Sequence, residues 1–323
     1  MGPKEGSLSK AGLILSIGVC LTAVFWCSCQ PGPAQPSDVA EVRVVITRDM
    51  GNELVLDEAV AVRSGASALD ALEEVAMVET KYGGGFVEAI DGVRSQYSTG
   101  TGRRDWLFYM NGMSAKVGAR DYALCDGDVE HWDFRRWSFR SFVPAIVGDF
   151  PQPFLGGYEG RIRATVIAHA GGFGDGAREL ASRLKGLGVE SVCVRPVSEL
   201  ASQEKQECNL ILLGTTDLEL ISELGENARL GFFIECRDDG LVVFDSQGQE
   251  TRYPLGCGFV QATQNPWNPK GIGVCENVVL VVSGMDDGQV HDALALVVSG
   301  AEEARYGCAA IVIDGEVIKV PRC

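Results

Sequence analysis

Apolar residues in the first half of the chain follow the short repeats of β-strands, with one stretch of helical spacing. Val42 to Thr47 and Glu53 to Ala61 are rich in Val and Leu and predict a hairpin that turns at Met50-Gly51-Asn52. Ser67 is placed to cap a helix with Asp70 three residues later, and apolar residues then recur on one face. Further strands are predicted at Phe86 to Ile90, Trp106 to Met110 and Val129 to Phe134. This pattern predicts an α+β N-terminal domain in which one helix packs on a small mixed sheet.

The second half differs because its strands are near-continuous apolar runs, which is typical of strands that are buried on both faces. These runs are Ala164 to Ala168, Val189 to Val194, Leu210 to Leu213 and Val278 to Ser283. Helical patterns separate them at Gly176 to Lys185, Asp217 to Leu224 and Asp286 to Val298. The alternation of strands and helices predicts a layered α/β domain with a mainly parallel sheet.

Residues 141–160 lie between the two patterns and share neither of them. This stretch contains three prolines and four glycines without a sustained periodicity, as is typical of a linker or of an irregular crossover. We therefore expect a first domain at residues 42–140, a linker at 141–160 and a second domain at 161–323. We also expect the two domains to fold independently.

The first 41 residues show a third pattern, in which an apolar run ends at a cysteine. Ala11 to Trp26 carries no charge, and its length is short for a spanning helix but normal for the h-region of a signal peptide. Cys27-Ser28-Cys29 follows, and residues 30–41 form a Pro-rich tether. Residues 1–29 resemble a bacterial lipoprotein signal, which implies lipidation of Cys29 and an extracytoplasmic, membrane-anchored protein. Trp26 and Cys27 depart from that family's pattern, so an uncleaved anchor and plain secretion remain the alternatives.

The composition excludes one class of binding partner but leaves the state of the cysteines open. The 323 residues carry a formal net charge of -16, and 46% of them are hydrophobic. An acidic chain without a long Lys/Arg run repels a phosphate backbone, so we expect no nucleic-acid partner. Eight cysteines follow the N-terminal segment without C-x-x-C or zinc-site spacing, and they fit either buried thiols or one or two disulfides. We therefore expect no metal site.

The most specific motif lies in residues 105–132. Its three parts are Asp105-Trp106-Leu107-Phe108-Tyr109-Met110-Asn111-Gly112, Val117-Gly118-Ala119-Arg120-Asp121-Tyr122 and Asp126-Gly127-Asp128-Val129-Glu130-His131-Trp132. Together they resemble the bacterial domain family related to the C-terminal domain of transcobalamin and intrinsic factor. Members of that family combine a W-x-x-x-x-N-G strand and turn, a later G-A-x-x-Y and a D-G-D-x-x-x-W strand. With the upstream segments 65–72 and 86–93, the resemblance spans residues 42 to 137.

This resemblance implies a corrinoid ligand, either cobalamin or a related molecule, bound as a ligand and not as a catalytic cofactor. The implied contact residues are Trp106, Phe108, Asn111, Gly112, Tyr122 and Trp132. Aromatic faces with a few hydrogen-bonding groups suit a large ligand whose apolar edge is rimmed by amides. The alternative is structural, because strand alternation buries half of Trp106 to Met110 whatever the function, and Asn-Gly is an ordinary turn. The vitamin carriers also have a helical-barrel domain, which this chain lacks.

A glycine-rich segment, Gly172-Phe173-Gly174-Asp175-Gly176-Ala177, follows a predicted strand and opens a predicted helix. Its G-x-G-x-x-A spacing is found in loops that bind a dinucleotide pyrophosphate. However, Asp175 would place a negative charge beside the phosphates, and the strand that ends at Val194-Arg195 lacks the ribose-binding acid. We therefore interpret the segment as a glycine turn that begins a helix.

The segment from Gln264 to Lys270, followed by the apolar run Asn277 to Gly284, resembles part of surface-layer-type envelope domains. That resemblance implies the alternative function, a structural or adhesive cell-envelope protein that binds protein or glycan. Catalytic motifs such as G-x-S-x-G and H-E-x-x-H are absent from the sequence, and the three histidines are far apart in it. The sequence therefore predicts a ligand-binding protein at the cell surface and not an enzyme.

Overall fold

The computed structural model describes residues 38–97, 102–137, 140–225, 227–237 and 240–322. Cys29, the signal segment and the tether up to residue 37 lie outside these residues. The first half contains β1 (Val39–Arg48), β2 (Glu53–Arg63), α1 (Ala68–Val75), β3 (Val78–Lys81), β4 (Phe86–Ile90), β5 (Val93–Arg94), β6 (Arg103–Met110), β7 (Met113–Ser114) and β8 (Val129–Trp137).

A five-stranded sheet in the order β2-β1-β8-β6-β7 forms the centre of the first half. β1 and β8 are parallel, and the other pairs are antiparallel. α1 starts with the expected capping box, because the Ser67 Oγ accepts from the Asp70 N–H (3.2 Å) and the Asp70 carboxylate accepts from the Ser67 N–H (2.8 Å). β3, β4 and β5 form a separate three-stranded sheet. The predicted hairpin, the capped helix and the small mixed sheet are confirmed.

The second half contains β9 (Thr165–His169), α2 (Gly174–Gly186), β10 (Val192–Pro196), α3 (Ser202–Glu207), β11 (Asn209–Thr215), α4 (Glu219–Gly225), β12 (Ile234–Arg237), β13 (Gly240–Phe244), β14 (Glu250–Tyr253), β15 (Gly258–Gln264), β16 (Val278–Gly284), α5 (Asp287–Ser299), β17 (Ala309–Ile313) and β18 (Glu316–Val320). Seven of these strands form one sheet in the order β10-β9-β11-β16-β15-β17-β18. The first four strands in that order are parallel, and the last three join antiparallel.

The sheet is therefore mixed and not mainly parallel, which corrects the prediction. The difference comes mostly from β15, which is buried along its whole length but carries Gln261, Thr263 and Gln264. These polar residues interrupt the apolar pattern, so the sequence does not indicate a central strand there. β15 pairs with β16 on one side and with β17 on the other, and this brings the C-terminal pair into the same sheet.

Two layers cover the faces of this sheet. α2 and α5 pack on one face, while α4 and the β12-β13-β14 sheet belong to the cluster on the other. Close contact between α2 and α5 explains the glycine-rich segment, because a Cβ atom on Gly176 would lie 2.4 Å from the Leu294 Cδ2. A side chain at position 176 would therefore have to displace the end of the Leu294 side chain, and the segment opens α2 in agreement with the interpretation as a helix-opening turn.

The segment 141–160 is an irregular crossover that is packed into the protein, and it is not an exposed linker. Val143, Ile146 and Phe154 are buried. The Ile146 N–H donates to the Gly112 carbonyl (2.9 Å) in the first half, and the Val147 N–H donates to the Cys308 carbonyl (3.1 Å) in the second. Residues Ser37–Cys323 accordingly form one compact unit. Independent folding of the two halves stays a prediction.

Candidate functional site

The predicted aromatic contact residues lie in two cross-strand pairs of β6 and β8. Phe108 stacks on Trp132 with ring centroids 4.7 Å apart, and Trp106 packs against Phe134 at 5.0 Å. Trp106 is 7% exposed and Trp132 3% exposed, while Phe108 is half-buried. The Trp106 indole N–H donates to the Val93 carbonyl (2.9 Å). These side chains therefore pack as core residues in this structure, and their contact with a ligand stays a prediction.

The other predicted contact residues hold the crossover against the first half. Asn111 is buried with a positive φ of 49°, and its side-chain amide donates to the Asp128 carboxylate (2.8 Å) and to the Gly157 carbonyl (2.9 Å). Gly112 has a φ of 74° and accepts the Ile146 N–H. The Tyr122 hydroxyl accepts the Glu159 N–H at 2.9 Å. Asn111, Gly112 and Tyr122 therefore contact the crossover in this structure, and their contact with a ligand stays a prediction.

Two aspartates near this turn have structural partners. Asp126 Oδ1 accepts the Glu41 N–H (2.8 Å), and Asp128 accepts from the Cys125 N–H (2.9 Å) as well as from Asn111. Within the described ranges, no group of three or more His, Cys, Asp or Glu residues is arranged to hold a metal ion. The same ranges contain seven of the eight cysteines, and none of these seven forms a disulfide bond.

A buried polar network, which the sequence did not reveal, lies on the face of β8 that meets the crossover. The His131 Nε2 is 2.9 Å from the Thr47 Oγ1, and the His131 Nδ1 is 2.9 Å from the Asp149 Oδ1. The Thr47 hydroxyl also donates to the Asp133 carboxylate at 2.8 Å. We call these four residues the His131 network.

The His131 network resembles a catalytic triad in its distances but not in its proton positions. Since the Thr47 hydroxyl donates to Asp133, the His131 Nε2–H donates to Thr47, and the Nδ1–H donates to Asp149. Burial lowers the pKa of His131, but the Asp149 carboxylate outweighs this effect and the net pKa is raised. Thr47 is 0% exposed, and its hydroxyl already donates to Asp133 rather than to His131. This arrangement favours a structural role for the network.

A cleft of about 470 Å³ opens at the carboxyl end of β11, between α4, β12 and the seven-stranded sheet. We call it the β11 cleft. Its walls are about equally apolar and polar, and the polar side chains come from three separate parts of the chain. The apolar residues are Ile221, Leu224, Phe232, Ile234, Phe259 and Val281, and the polar ones are Thr216, Asp217, Ser222, Cys236, Arg237 and Gln261.

Gln261 is the buried polar residue of the β11 cleft. Its side-chain N–H donates to the Ile234 carbonyl at 3.2 Å, and its Oε1 accepts no hydrogen bond. Arg237, in contrast, is paired with Glu235 (3.1 Å) and with Glu250 (2.9 Å) at the rim. The lining thus contains a buried acceptor without a hydrogen-bond partner and two charged groups, of which Arg237 is ion-paired and Asp217 accepts from the Thr215 hydroxyl. The sequence signal for this site is weak, because Thr216-Asp217 after an apolar strand is an ordinary strand ending.

Comparison with known proteins adds a family match in the first half. Residues 65–136 match a domain of unknown function, DUF4430. This region lies inside the segment 42–137 that carries the ordered motifs. No curated protein sequence matches the chain.

Two solved structures are similar to part of the chain. Haptocorrin in complex with Cbi matches over 33% of this chain and 27% of that chain, with 17% identity and a TM-score of 0.27. A Ruminococcus gnavus protein described as metal-binding matches over 30% of this chain and 97% of that chain, with 14% identity and a TM-score of 0.23. This chain therefore spans about a quarter of haptocorrin. In the part of the chain that the structure describes, no helix has the length and apolarity needed to cross a membrane.

Proposed function

We propose that this chain is an extracytoplasmic ligand-binding protein that is tethered to a membrane through Cys29, and that it binds rather than catalyses. The observation that carries the ligand-binding role is the β11 cleft. Its volume of about 470 Å³ lies within the range of small-molecule sites, which are mostly apolar with a few placed polar groups. The carboxyl end of a parallel strand is also a common location for such sites.

The polar groups of the cleft favour a particular kind of ligand. Gln261 is 5% exposed and its Oε1 is buried without a partner, so a ligand N–H or O–H reaches this atom only after the side chain turns toward the cleft. Ile234 and Phe259 provide apolar contact, while Thr216, Asp217 and Ser222 provide polar contact. The cleft therefore suits a molecule with an apolar body that presents amide or hydroxyl donors.

Corrinoid binding is the more specific form of this proposal. It is supported by the ordered motifs of residues 42 to 137, which resemble the transcobalamin C-terminal domain family. A corrinoid has an apolar ring edge rimmed by amide groups, and amide N–H donors match the free acceptor of Gln261. A cleft of this volume accepts one edge of such a molecule, and the rest would lie on the protein surface.

Cys236 provides the experiment, because it is an exposed thiol that lines the β11 cleft. The rate of its alkylation is measured by mass spectrometry of the Cys236 peptide while cyanocobalamin is titrated, and visible absorption is recorded in parallel. We expect bound cyanocobalamin to slow the reaction of Cys236 at least about tenfold, because a filled cleft excludes the reagent. Cys193, which is partly exposed and outside the cleft, is the internal control.

A cleft-filling variant separates the location from the ligand. Ser222→Trp places a large ring in the cleft, and Ser182→Trp places the same ring on exposed α2, on the opposite face of the sheet. Loss of binding in Ser222→Trp alone supports the β11 cleft. Binding that survives Ser222→Trp would place the corrinoid elsewhere. If neither the alkylation rate of Cys236 nor the visible absorption changes at millimolar cyanocobalamin, corrinoid binding is rejected. The envelope-protein function then becomes the leading hypothesis.

The tether has its own test. Because the apolar run ends at Cys29 and a Pro-rich stretch follows, we expect the mature chain to begin with a lipidated Cys29 and to partition with membranes. Mass spectrometry of the N-terminal peptide decides this point. An unmodified peptide that retains Ala11 to Trp26 excludes cleavage at Cys29.

A further inference from the structure

We propose a second binding site, for the phosphate or carboxylate group of an anionic ligand, in a cleft that three arginines line. This cleft has a volume of about 200 Å³ and is lined by Arg104, Arg135 and Arg136, with Ser246 and Gln247 on the side of the second half. We call it the arginine cleft. It is separate from the β11 cleft, and neither the corrinoid proposal nor the tether depends on it.

The topology of the sheet creates the arginine cleft. β1 pairs with β8 only as far as Arg48 opposite Phe134, and the chain then turns away through Asp49 and Met50. The next two residues of β8, Arg135 and Arg136, therefore lie at an edge that β1 no longer covers. Asp49 and Met50 form the adjacent wall of the cleft. A gap is left between the first-half sheet and the turn that contains Ser246.

Two of the arginines are placed where they repel each other. Arg104 and Arg136 are directly opposite in the antiparallel pairing of β6 with β8, and like charges in that relation are destabilising. Among the residues that the structure describes, neither guanidinium has an acidic partner, although both lie in a chain with a net charge of -16. An anion between them would remove the repulsion and satisfy their N–H groups.

The third arginine is fixed in place by the protein. Arg135 is 2% exposed, and its Nη2 donates to the Tyr109 hydroxyl at 2.8 Å. Its Nη1 lies 3.7 Å from the Asp133 carboxylate, which compensates part of its charge. Because neighbouring residues of a strand point to opposite faces, Arg135 lies on the face of β8 opposite to Arg104 and Arg136, and the proposed ligand-binding pair is Arg104 with Arg136. Two guanidinium groups without an acidic partner among the described residues favour an oxyanion, and arginine forks match the geometry of phosphate and carboxylate.

Calorimetric titration of the protein with inorganic phosphate tests the site, with chloride at matched ionic strength as the blank. We expect saturable binding that weakens about tenfold or more in Arg104→Gln and in Arg136→Gln, the usual effect of losing one charge-assisted hydrogen bond. Arg63→Gln is the matched control, because Arg63 is an exposed arginine on β2 of the same sheet. We expect this variant to bind phosphate within about twofold of the wild type.

An acetate titration distinguishes the source of the anion. Binding of both acetate and phosphate indicates a carboxylate or phosphate group in general, while binding of phosphate alone narrows the ligand to phosphate-bearing molecules. Thermal melting without added anion checks that the variant is folded. Because Arg104→Gln removes the repulsion between Arg104 and Arg136, its melting temperature should be no lower than that of the wild type. The proposal is overturned if phosphate gives no saturable signal beyond chloride, or if Arg63→Gln weakens binding as much as Arg104→Gln.

Discussion

The two faces of β8 hold buried ionisable groups in opposite ways. Glu130 points into the aromatic core, where the Trp132 indole N–H donates to its Oε1 (2.5 Å) and its Oε2 has no hydrogen-bond partner. His131, the next residue, points to the crossover, where Asp149 and Thr47 contact both ring nitrogens. Burial raises the pKa of Glu130 to about 8, whereas the pKa of His131 is raised by its carboxylate partner in spite of burial.

This contrast shows what pairing does for a buried group. A buried acid without a counter-charge takes up a proton and becomes neutral, while a buried base beside a carboxylate keeps its charge. In the His131 network, His131 faces Asp149, and Arg135, which lies beside the network, faces Asp133, so each carboxylate has a positive group nearby. The crossover supplies Asp149, and the charge balance of the first half therefore depends on residues beyond its last strand.

The largest expected effect follows from removing the crossover. A fragment of residues 38–140 loses Asp149 and the backbone bond between Ile146 and Gly112, and it leaves Met50 and Tyr109 without the core cluster that they share with the crossover and the second half. We expect it to show no cooperative thermal transition by circular dichroism, alone or mixed with residues 161–323. The intact chain should resist proteolysis at Gly156-Gly157, because Gly157 and its neighbour Tyr158 are buried. Cooperative melting of both fragments would instead support the independent domains that the sequence predicts.

The next largest effect comes from neutralising one partner in the network. Asp149→Asn leaves the His131 imidazolium buried without its carboxylate, and we expect a loss of about 3–5 kcal/mol in the free energy of unfolding near neutral pH. Urea denaturation measures it, and Asp126→Asn, an exposed acid at a nearby turn, is the control.

The pH dependence of that loss follows from the raised pKa of His131. The stabilising contribution of the protonated ring is fully present below the unfolded value of 6.5 and is lost as the pH rises through the folded-state value. The deficit of Asp149→Asn should therefore be larger at pH 6 than at pH 9. An equal deficit at both values would contradict a charged His131.

Several of these elements could be predicted from the sequence because they depend on local pattern. The strand Phe86–Ile90 has the predicted first and last residues, and Ser67 with Asp70 forms the expected cap. β15 escaped prediction because Gln261 and Thr263 are buried polar residues in a central strand. Such residues are tolerated by tertiary contacts, which periodicity does not register.

The sites were less predictable because their residues converge only in three dimensions. Thr47 and His131 are 84 residues apart, and His131 and Asp149 are 18 apart. The β11 cleft combines Asp217, Arg237 and Gln261 from three different elements. Motif spacing identified the aromatic residues of β6 and β8, but it could not tell a binding face from a core face, since both follow the same alternation.

Glu130→Gln is expected to have a smaller effect, of opposite sign at high pH. Because the folded-state pKa of Glu130 is about 8 and the reference value is 4.5, folding favours the protonated acid, and stability declines as the pH rises from 4.5 through about 8. The difference between the reference pKa of 4.5 and the folded-state pKa of about 8 corresponds to at most about 5 kcal/mol, at about 1.36 kcal/mol for each pKa unit. Burying the glutamine amide also costs free energy, which offsets part of this gain. We therefore expect the variant to be about 2 kcal/mol more stable than the wild type at pH 9.

Urea denaturation at pH 5 and pH 9 checks this prediction. At pH 5 the two proteins should differ little in stability, because Glu130 is protonated and uncharged in the folded state, as the glutamine is, and pH 5 is close to the reference pKa of 4.5. Glu73→Gln, on an exposed position of α1, controls for the change in net charge. If Glu130→Gln were less stable at pH 9, the carboxylate would have to be ionised and compensated in the fold.

The smallest expected effect concerns Thr47, and it separates the structural role of the His131 network from a catalytic one. Thr47→Val keeps the shape of the side chain but removes the bond to Asp133 (2.8 Å) and the acceptor for His131 (2.9 Å). Asp133 keeps the Met50 and Gly51 N–H groups at 3.1 and 3.2 Å, so we expect a loss of only about 1–2 kcal/mol in unfolding free energy. Because the Thr47 hydroxyl donates to a carboxylate and is buried, it is not an activated nucleophile, and ligand protection of Cys236 should be unchanged in the variant. A variant of wild-type stability that no longer turned over or bound a ligand would show instead that Thr47 acts on that ligand, and the distances to His131 and Asp149 would then mark a catalytic site.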